Sequence, residues 1–231
     1  MKKKVIILGA SSDIGKPLLN YFLNDKYEVY AHYNKVKPKI KSKRLHYIKC
    51  DFSIEGNFKN FMDEIKKISF SSFINLIGFI DGNDVEKTNF SKLTNSLNIN
   101  LKYPILIANE VSKKMKANKF GRILHCSSIG VKFGGGINSY SYSIAKHGLE
   151  FIPSYFKSLI KYNVFYNVLR VGITKTKLHK SIKNKDMKKR VSLIPIGRMA
   201  KPIEIAKYIF YLSSKDNTFI SNQVLSISGG E

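Results

Sequence analysis

A serine pair and a tyrosine–lysine pair stand close together in the sequence and carry reactive side chains. Residues 126–146 read CSSIGVKFGGGINSYSYSIAK, with Tyr142 and Lys146 near the end. If a helix begins near Ser141, the four-residue spacing places phenol and ammonium on one face, one turn apart. A nearby ammonium favours the phenolate, so the tyrosine proton becomes easier to move. Such a tyrosine suits general acid catalysis of carbonyl reduction, although the same spacing also occurs in ordinary surface or half-buried pairs.

A glycine-containing turn follows the first apolar run of the chain. Residues 4–8 form a short β-branched run, and the sequence GASSDIG follows directly. Beyond this turn, apolar residues recur at helical spacing through residue 23. A strand, a glycine turn and a helix together direct backbone N–H groups toward a pyrophosphate. We predict that this turn binds a dinucleotide through Gly9, Ser11, Ser12, Asp13, Ile14 and Gly15.

Asp13 stands where a third glycine is expected in such a turn. A carboxylate close to a phosphate is unfavourable, so we expect its side chain to turn away and to cap the following helix. Two glycines are also compatible with a simple tight turn, and the strand and helix around them favour the nucleotide site.

The end of the second predicted strand bears on the choice of dinucleotide. Folds that prefer NAD carry an acidic residue there, whereas those that bind NADP offer basic groups to the 2′-phosphate. Here the position holds Tyr33, followed by Asn34, Lys35 and Lys37. This pattern favours NADP(H) and leaves NAD(H) possible, because these lysines also fit the general lysine excess of the chain.

Strands and helices alternate along the whole chain. Apolar runs predict strands over residues 4–8, 28–33, 45–50, 72–77, 123–126, 163–169 and 223–227. Helical spacing predicts a long helix over 90–115, a helix from Tyr142 that Pro153 kinks, and one over 203–212. The alternation indicates an α/β fold, a Rossmann-type doubly wound parallel sheet of about seven strands with helices on both faces. The length favours a single domain over 1–231, with a substrate-covering segment around 173–195, although two small domains are compatible with length alone.

Composition limits the classes of partner. The net charge of +24 comes from 40 Lys and Arg against 16 Asp and Glu. These lysines are spread along the chain without a basic stripe interleaved with aromatics, so no specific nucleic-acid binding is expected. A solvated surface or an acidic partner, such as a carrier protein or a phosphorylated substrate, fits the charge better. No apolar run approaches a membrane span, and we expect a soluble cytoplasmic protein. Cys50 and Cys126 are expected to be small buried residues, and no metal site is indicated.

Together these segments resemble the short-chain dehydrogenase/reductase family, single-domain type, and are most similar to its 3-oxoacyl-[acyl-carrier-protein] reductase-like members. The glycine turn resembles the cofactor turn of that family, and Asp51-Phe52-Ser53 resembles its Asp-x-Ser element beside the adenine. Residues 75–78, from Asn75 to Gly78, stand where the family has Asn-Asn-Ala-Gly. Residues 171–176 resemble the loop that holds the nicotinamide amide, which implies roles for Gly172, Ile173 and Thr176. Residues 194–199, Glu204 and the closing glycine pair also match.

The resemblance places Asn100, Ser128, Tyr142 and Lys146 on the catalytic tetrad of the family. It implies that Tyr142 donates the proton and that Ser128 holds the carbonyl oxygen. Lys146 would lower the tyrosine pKa and bind the nicotinamide ribose. Asn100 would hold a water that connects Lys146 to solvent, the alternative being a helix asparagine bonded to backbone. The serine is Ser128 when counted from the Gly121-Arg122 pair and Ser127 when counted to the next glycine, and we choose Ser128.

Three positions depart from the family pattern. Asp13 replaces the middle glycine of the turn, residues 76 and 77 are Leu and Ile in place of Asn and Ala, and Val171 replaces the usual proline. These changes bear on cofactor affinity and loop rigidity more than on the reacting groups.

The implied activity is an NADP-dependent interconversion of a ketone and a secondary alcohol, with a 3-oxoacyl thioester as a possible substrate. A reductase of a sugar or surface-glycan precursor is the alternative enzyme. A non-catalytic nucleotide-binding regulatory protein is the alternative from another class. The resemblance also implies a homodimer or homotetramer in which the Asn100 and Tyr142 helices pack against partner copies.

Overall fold

A seven-stranded parallel sheet organises the residues that the computed structural model describes, which are 3–178 and 186–231. The strands are β1 (Lys4–Leu8), β2 (Glu28–Tyr33), β3 (Leu45–Lys49), β4 (Ser72–Asn75), β5 (Gly121–Ser128), β6 (Val164–Val171) and β7 (Val224–Ile227). The helices are α1 (Gly15–Asn24), α2 (Glu55–Ile65), α3 (Phe90–Leu97), α4 (Tyr103–Ala117), α5 (Tyr140–Gly148), α6 (Ser154–Ser158), α7 (Met187–Ser192) and α8 (Pro202–Ser213). Each strand lies where the sequence predicts it, with ends that differ by no more than two residues.

The strand order is β3-β2-β1-β4-β5-β6-β7, and neighbouring strands pair in parallel. After β3 the chain returns past β1 and continues on its other side with β4. This reversal leaves a crevice at the carboxyl ends of β1 and β4, which is where ligands bind in open parallel sheets. The α/β Rossmann-type fold that the sequence predicts is therefore confirmed.

The sheet is buried on both faces, which explains why its strands read as nearly continuous apolar runs. On β1, Val5 and Ile7 pack with apolar residues of α1 and α8, whereas Ile6 and Leu8 pack with residues of α2 and α4. All four side chains are fully buried. Cys50 and Cys126 are also buried and free, as expected.

The long helix predicted over residues 90–115 is present but interrupted. A π-helical segment, Asn98–Lys102, separates α3 from α4, and Tyr103 N–H bonds to the Asn98 carbonyl. Pro104 explains the interruption, because it lacks the N–H that would bond to the carbonyl of Asn100 in an α-helix. The kink predicted at Pro153 is wrong: α5 ends at Gly148, and Pro153 is instead the residue that precedes α6. Proline disfavours the helical conformation of the residue before it, so the helix stops and restarts.

The segment predicted to cover the substrate, 173–195, contains α7. Residues 179–185 of that segment lie outside the described residues. Within the part of the chain that the structure describes, no helix has both the length and the apolar composition of a membrane span.

Candidate active site

The turn between β1 and α1 is held in one tight conformation by its own backbone. Gly9 has φ +72°, and a Cβ on it would stand 3.2 Å from the Leu76 carbonyl carbon. A Cβ on Gly15 would stand 2.5 Å from the Ala10 carbonyl oxygen. Ser12 Oγ accepts a hydrogen bond from Gly15 N–H at 3.0 Å. Both ends of the turn therefore require glycine, because a side chain at either position would press against backbone atoms. The spacing of the glycines in the sequence does not reveal these contacts.

The remaining residues of the turn differ in what they face. Ser11 is half-buried, and Ile14 packs against the apolar layer between the sheet and α1. Asp13 does not cap α1 as expected, since the residue before that helix is Ile14 and the N–H of Gly15, the first residue of the helix, bonds to Ser12 Oγ instead. Its carboxylate instead accepts a hydrogen bond from Lys177 N–H at 2.8 Å.

His32, which sequence reasoning missed, fixes the position of this turn. Its Nδ1 accepts a hydrogen bond from Gly9 N–H at 3.1 Å, so Nε2 carries the proton and donates to the Cys50 carbonyl at 2.9 Å. The ring stacks on Phe52 with centroids 4.5 Å apart. Burial lowers the pKa of His32 to about 4, so it stays neutral near pH 7. No local sequence pattern shows that a histidine near the end of a strand forms these two hydrogen bonds.

This burial predicts that acid destabilises the fold before the carboxylates titrate. The pKa of His32 falls from 6.5 to about 4 and that of His125 to about 3, both mainly through burial. Below pH 6.5 these histidines bind protons in the unfolded chain but not in the folded chain. The free energy of unfolding therefore decreases as pH falls toward 4. Urea unfolding is expected to show a loss of about 1 kcal/mol per histidine between pH 7.5 and 5.5.

The control for this pH dependence removes one of the two buried histidines. His32→Gln is expected to reduce the loss of stability between pH 7.5 and 5.5, and the loss that remains is expected to come from His125. An unfolding free energy that stays constant over this pH range in the wild-type protein would contradict the assignment.

The end of β2 and the end of β3 form one polar corner. Asp51 accepts hydrogen bonds from Ser53 N–H and Oγ at 2.9 and 2.7 Å. These bonds, an Asn34 side-chain bond and the charge of Lys35 lower the pKa of Asp51. Tyr33 is half-buried, and Lys35 is exposed. Lys35 is therefore a solvent-exposed basic group beside a carboxylate.

Two residues predicted to bind the cofactor have structural side chains. Phe52 is 4% exposed and belongs to the core. Asn75 is fully buried; its Oδ1 accepts from Ile77 N–H at 3.1 Å, and its Nδ2 lies 3.2 Å from His125 Nδ1. These side chains shape the strand ends, so only their backbone remains to meet a ligand.

Ser128, Tyr142 and Lys146 come together beside Gly78. The Ser128 side chain lies within interaction range of the Tyr142 phenol, and a Cβ on Gly78 would stand 3.7 Å from Tyr142 Cε2. Lys146 is 2% exposed, and its Nζ lies 5.7 Å from the centroid of the Tyr142 ring. The ammonium donates to the carbonyls of Ile77 and Cys126, each at 2.6 Å. The ends of the two strands β4 and β5 and the helix α5 thus converge on one site.

The acidity expected for Tyr142 is wrong in direction. Burial raises the pKa of Tyr142 to about 12, and the hydrogen bond with Ser128 opposes this only in part. The Lys146 ammonium donates hydrogen bonds to two backbone carbonyls, and burial lowers the pKa of Lys146 to about 8. Tyr142 is therefore a protonated donor throughout the physiological pH range, which suits an acid rather than a base.

The two serines have separate partners. Ser127 Oγ lies 3.0 Å from the Lys146 carbonyl oxygen and 2.8 Å from Glu150 Oε1, the two acceptors available to its single proton. Glu150 also forms a two-bond ion pair with Arg170, at 2.8 and 2.6 Å, with its side chain 6% exposed. Ser127 belongs to this ion pair that joins α5 to β6, and Ser128 to the pocket.

Asn100 holds a loop through its side chain. Its Oδ1 accepts from Phe79 N–H at 2.8 Å, and its Nδ2 donates to the Phe79 carbonyl at 2.9 Å and to Ser96. The side chain thus follows the backbone-bonded alternative and anchors the residue after Gly78. A water relay through Asn100 stays a prediction, and it would use the backbone carbonyl that Pro104 leaves without an α-helical donor.

The loop after β6 approaches the last strand closely. A Cβ on Gly172 would stand 2.5 Å from Ser228 Cα, so only glycine fits there. Gly172 and Ile173 line a cavity between this loop and the segment before α8. Thr174 is buried and donates to the Gly172 carbonyl at 2.9 Å, whereas Thr176 is half-buried. The sequence names Thr176, and the structure adds Thr174 as the threonine that fixes the loop.

The crevice, the glycine turn and the polar pocket define a Rossmann-type dinucleotide-binding fold. Residues 11–231 match the family model described as enoyl-(acyl carrier protein) reductase. The chain belongs to the short-chain dehydrogenase/reductase family, and the family predicted from its motifs is confirmed.

Relatives and solved structures agree with this family. The chain is 30% identical over 140 residues to the 3-oxoacyl-[acyl-carrier-protein] reductase MabA of Mycobacterium tuberculosis, which covers 60% of this chain and 56% of that protein. It is 29% identical over 159 residues to the acetoacetyl-CoA reductase of Acinetobacter sp., covering 68% and 63%. The structure titled ElxO with NADP bound has a TM-score of 0.83, 25% identity, and coverage of 100% and 98%. The sequence match thus spans little more than half of these curated relatives.

Proposed function

We propose that the chain is an NADP(H)-dependent reductase that converts the ketone of a 3-oxoacyl thioester into a secondary alcohol. The observation that carries this proposal is the grouping of the Ser128 and Tyr142 hydroxyls beside Gly78, with Lys146 buried next to them. Two hydroxyl groups on one side of a pocket can both meet a single oxygen that gains negative charge.

The turn and the corner at β2 fit the cofactor. Glycine at positions 9 and 15 leaves the backbone uncovered where a pyrophosphate would approach. Asn34 and Lys35 stand at the end of β2, where a 2′-phosphate would meet them. The structure titled ElxO with NADP bound, at 25% identity, supports this preference. NADPH, when bound, supplies the hydride.

The residues of the chain supply the proton and the positions. Tyr142 donates its proton to the oxygen of the reduced carbonyl, and Ser128 holds that oxygen within reach of the phenol. The Lys146 ammonium places a positive charge beside these hydroxyls, and its hydrogen bonds to the carbonyls of Ile77 and Cys126 fix its position. Asn100 keeps Phe79, and hence Gly78, in place beside the tyrosine.

Relatives named as 3-oxoacyl and acetoacetyl-CoA reductases support this substrate class. The matching family model is described as an enoyl reductase, which would reduce a C=C bond instead. Ser128 and Tyr142 could meet the oxygen of a reduced ketone, and the names of these relatives favour the ketone over the alkene. The exposed lysines 175 and 177 beside the pocket favour an acidic carrier of the acyl group.

The test compares substrates at equal concentration with NADPH and NADH. We expect oxidation of NADPH with acetoacetyl-CoA, at least tenfold slower oxidation of NADH, and no reaction with crotonyl-CoA. Activity on crotonyl-CoA alone would overturn the carbonyl assignment. Activity only on nucleotide-sugar ketones would favour the glycan alternative, and NADPH binding without turnover on any of these would favour a non-catalytic protein.

The same proposal includes a homo-oligomer. The apolar groove lined by residues of α3 and α4 is open on the surface, and Leu101, Ile105 and Leu106 contribute to it. Ile144, Phe151 and Tyr155, on and after α5, are 41%, 74% and 45% exposed. Exposed apolar side chains on neighbouring helices support an interface between copies. Sedimentation that finds only monomers at micromolar concentration would contradict it.

A further inference from the structure

The Asp13 carboxylate connects two sides of the crevice. Its Oδ2 accepts a hydrogen bond from Lys177 N–H at 2.8 Å, and its Oδ1 lies 4.0 Å from Lys16 Nζ. Asp13 follows β1 and Lys177 follows β6, and β4 and β5 lie between these strands in the sheet. With neighbouring strands about 4.8 Å apart, the two strands are on the order of 14 Å from each other. The contact therefore crosses the carboxyl edge of the sheet where a ligand would lie.

The residue after Lys177 lies over the reactive pocket. A Cβ on Gly78 would stand 3.7 Å from Leu178 Cδ2 and 3.7 Å from Tyr142 Cε2. The leucine side chain and the tyrosine ring thus face the same glycine. Because Asp13 fixes the N–H of Lys177, it also fixes the backbone that positions the Leu178 side chain beside Gly78.

Within its own turn, the Asp13 side chain contacts Lys16 at 4.0 Å and does not cap α1. Ser12 Oγ already accepts the N–H of Gly15, the first residue of that helix. The Asp13 hydrogen bond instead reaches a residue 164 positions away in the sequence. A carboxylate beside N–H groups that face a pyrophosphate also repels phosphate, unless a partner holds it aside.

We propose that Asp13 is a positioning residue that straps residues 173–178 across the crevice. The strap keeps Leu178 above Gly78 and Tyr142, limits water in the pocket, and must release Lys177 before the dinucleotide leaves. The predicted effect of Asp13 on dinucleotide release rests on the proposed function. The predicted effect of Asp13 on residues 173–178 applies to the protein without ligand.

The first test measures amide hydrogen exchange in the ligand-free protein, resolved by residue. Asp13→Ala is expected to accelerate exchange of Lys177 N–H about tenfold, because a bond to a charged acceptor is lost. Asp13→Asn keeps an acceptor oxygen and is expected to restore most of the protection. Lys175 N–H, which donates to the Ala200 carbonyl at 2.9 Å in the same segment, should keep its rate in all variants. Equal Lys177 rates in wild type and Asp13→Ala would overturn the strap.

The second test measures NADPH release by stopped-flow fluorescence. Asp13→Ala is expected to raise the dissociation rate about tenfold, with Asp13→Asn close to wild type. Asp63→Ala, which removes the same charge at a side chain 69% exposed on α2, should leave the rate unchanged. An unchanged release rate in Asp13→Ala would overturn the gating role. Failure of the wild-type protein to bind NADPH would contradict the proposed function, and Lys177 exchange would then decide the strap by itself.

Discussion

Replacing Tyr142 by phenylalanine is expected to lower NADPH-dependent reduction of acetoacetyl-CoA by about 10²–10⁴-fold, the range for loss of a positioned general acid. Phenylalanine keeps the ring beside Gly78 and removes only the hydroxyl that bonds to Ser128. The thermal midpoint and NADPH affinity are therefore expected to stay near their wild-type values. Steady-state kinetics and a cofactor titration on the same preparation measure both effects. Turnover close to wild type would remove Tyr142 from the mechanism.

The adjacent serines provide the matched control for that variant. Ser128→Ala should reduce kcat, because one of two hydrogen bonds to the developing negative charge is lost. Ser127→Ala should leave kcat near wild type and lower stability instead, since it removes a partner from the buried carboxylate of Glu150. A loss of kcat that follows Ser127 and spares Ser128 would reverse the assignment of the two serines.

The sheet was predictable because its signal is local and repeated. Buried parallel strands are apolar on both faces, as Val5 to Leu8 on β1 show, and most of them are followed by a helix with its own period. The placement of Tyr142 and Lys146 on one helix face also followed from their spacing, whereas the choice of Ser128 as their neighbour came from the family resemblance. The strands and the tyrosine–lysine pair need only the order of residues and the geometry of regular elements.

The electrostatics of the site were not predictable in this way. A helical spacing brings Tyr142 and Lys146 to one face, but it does not tell how deeply the pair is buried or where the ammonium bonds. In the fold, burial outweighs the charge, and the pKa of Tyr142 rises. The hydrogen bond between His32 and Gly9 and the ion pair between Glu150 and Arg170 join segments about 20 residues apart in sequence, so no local pattern marks them.

Two departures from the pattern acquired meaning only from contacts. Asp13 was expected to cap α1, yet its partner Lys177 is on the other side of the crevice. Pro153 was expected to kink a continuous helix, yet the chain leaves helical geometry before it and restarts after it. In both cases the residue type limits the local conformation, and the tertiary fold decides which permitted outcome occurs.

Replacing Gly15 by alanine is expected to disrupt the turn and NADPH binding together. The new Cβ would stand 2.5, 2.7 and 2.8 Å from the carbonyl oxygen, carbonyl carbon and Cα of Ala10, and this backbone has no flexible side chain to yield. Overpacking of this kind costs about 1–3 kcal/mol of stability. The displaced N–H groups should also weaken NADPH affinity by at least about a hundredfold, through loss of two or more charge-assisted hydrogen bonds.

Gly56→Ala is the matched control for Gly15→Ala. Gly56 lies on α2 with no atom within 4 Å of its added Cβ, so alanine should stabilise the helix by about 0.5–1 kcal/mol and leave NADPH binding unchanged. Urea unfolding and a fluorescence titration with NADPH measure the two variants side by side. If Gly15→Ala binds NADPH as tightly as wild type, the pyrophosphate does not lie on this turn, because its N–H groups cannot keep their positions around the added methyl group.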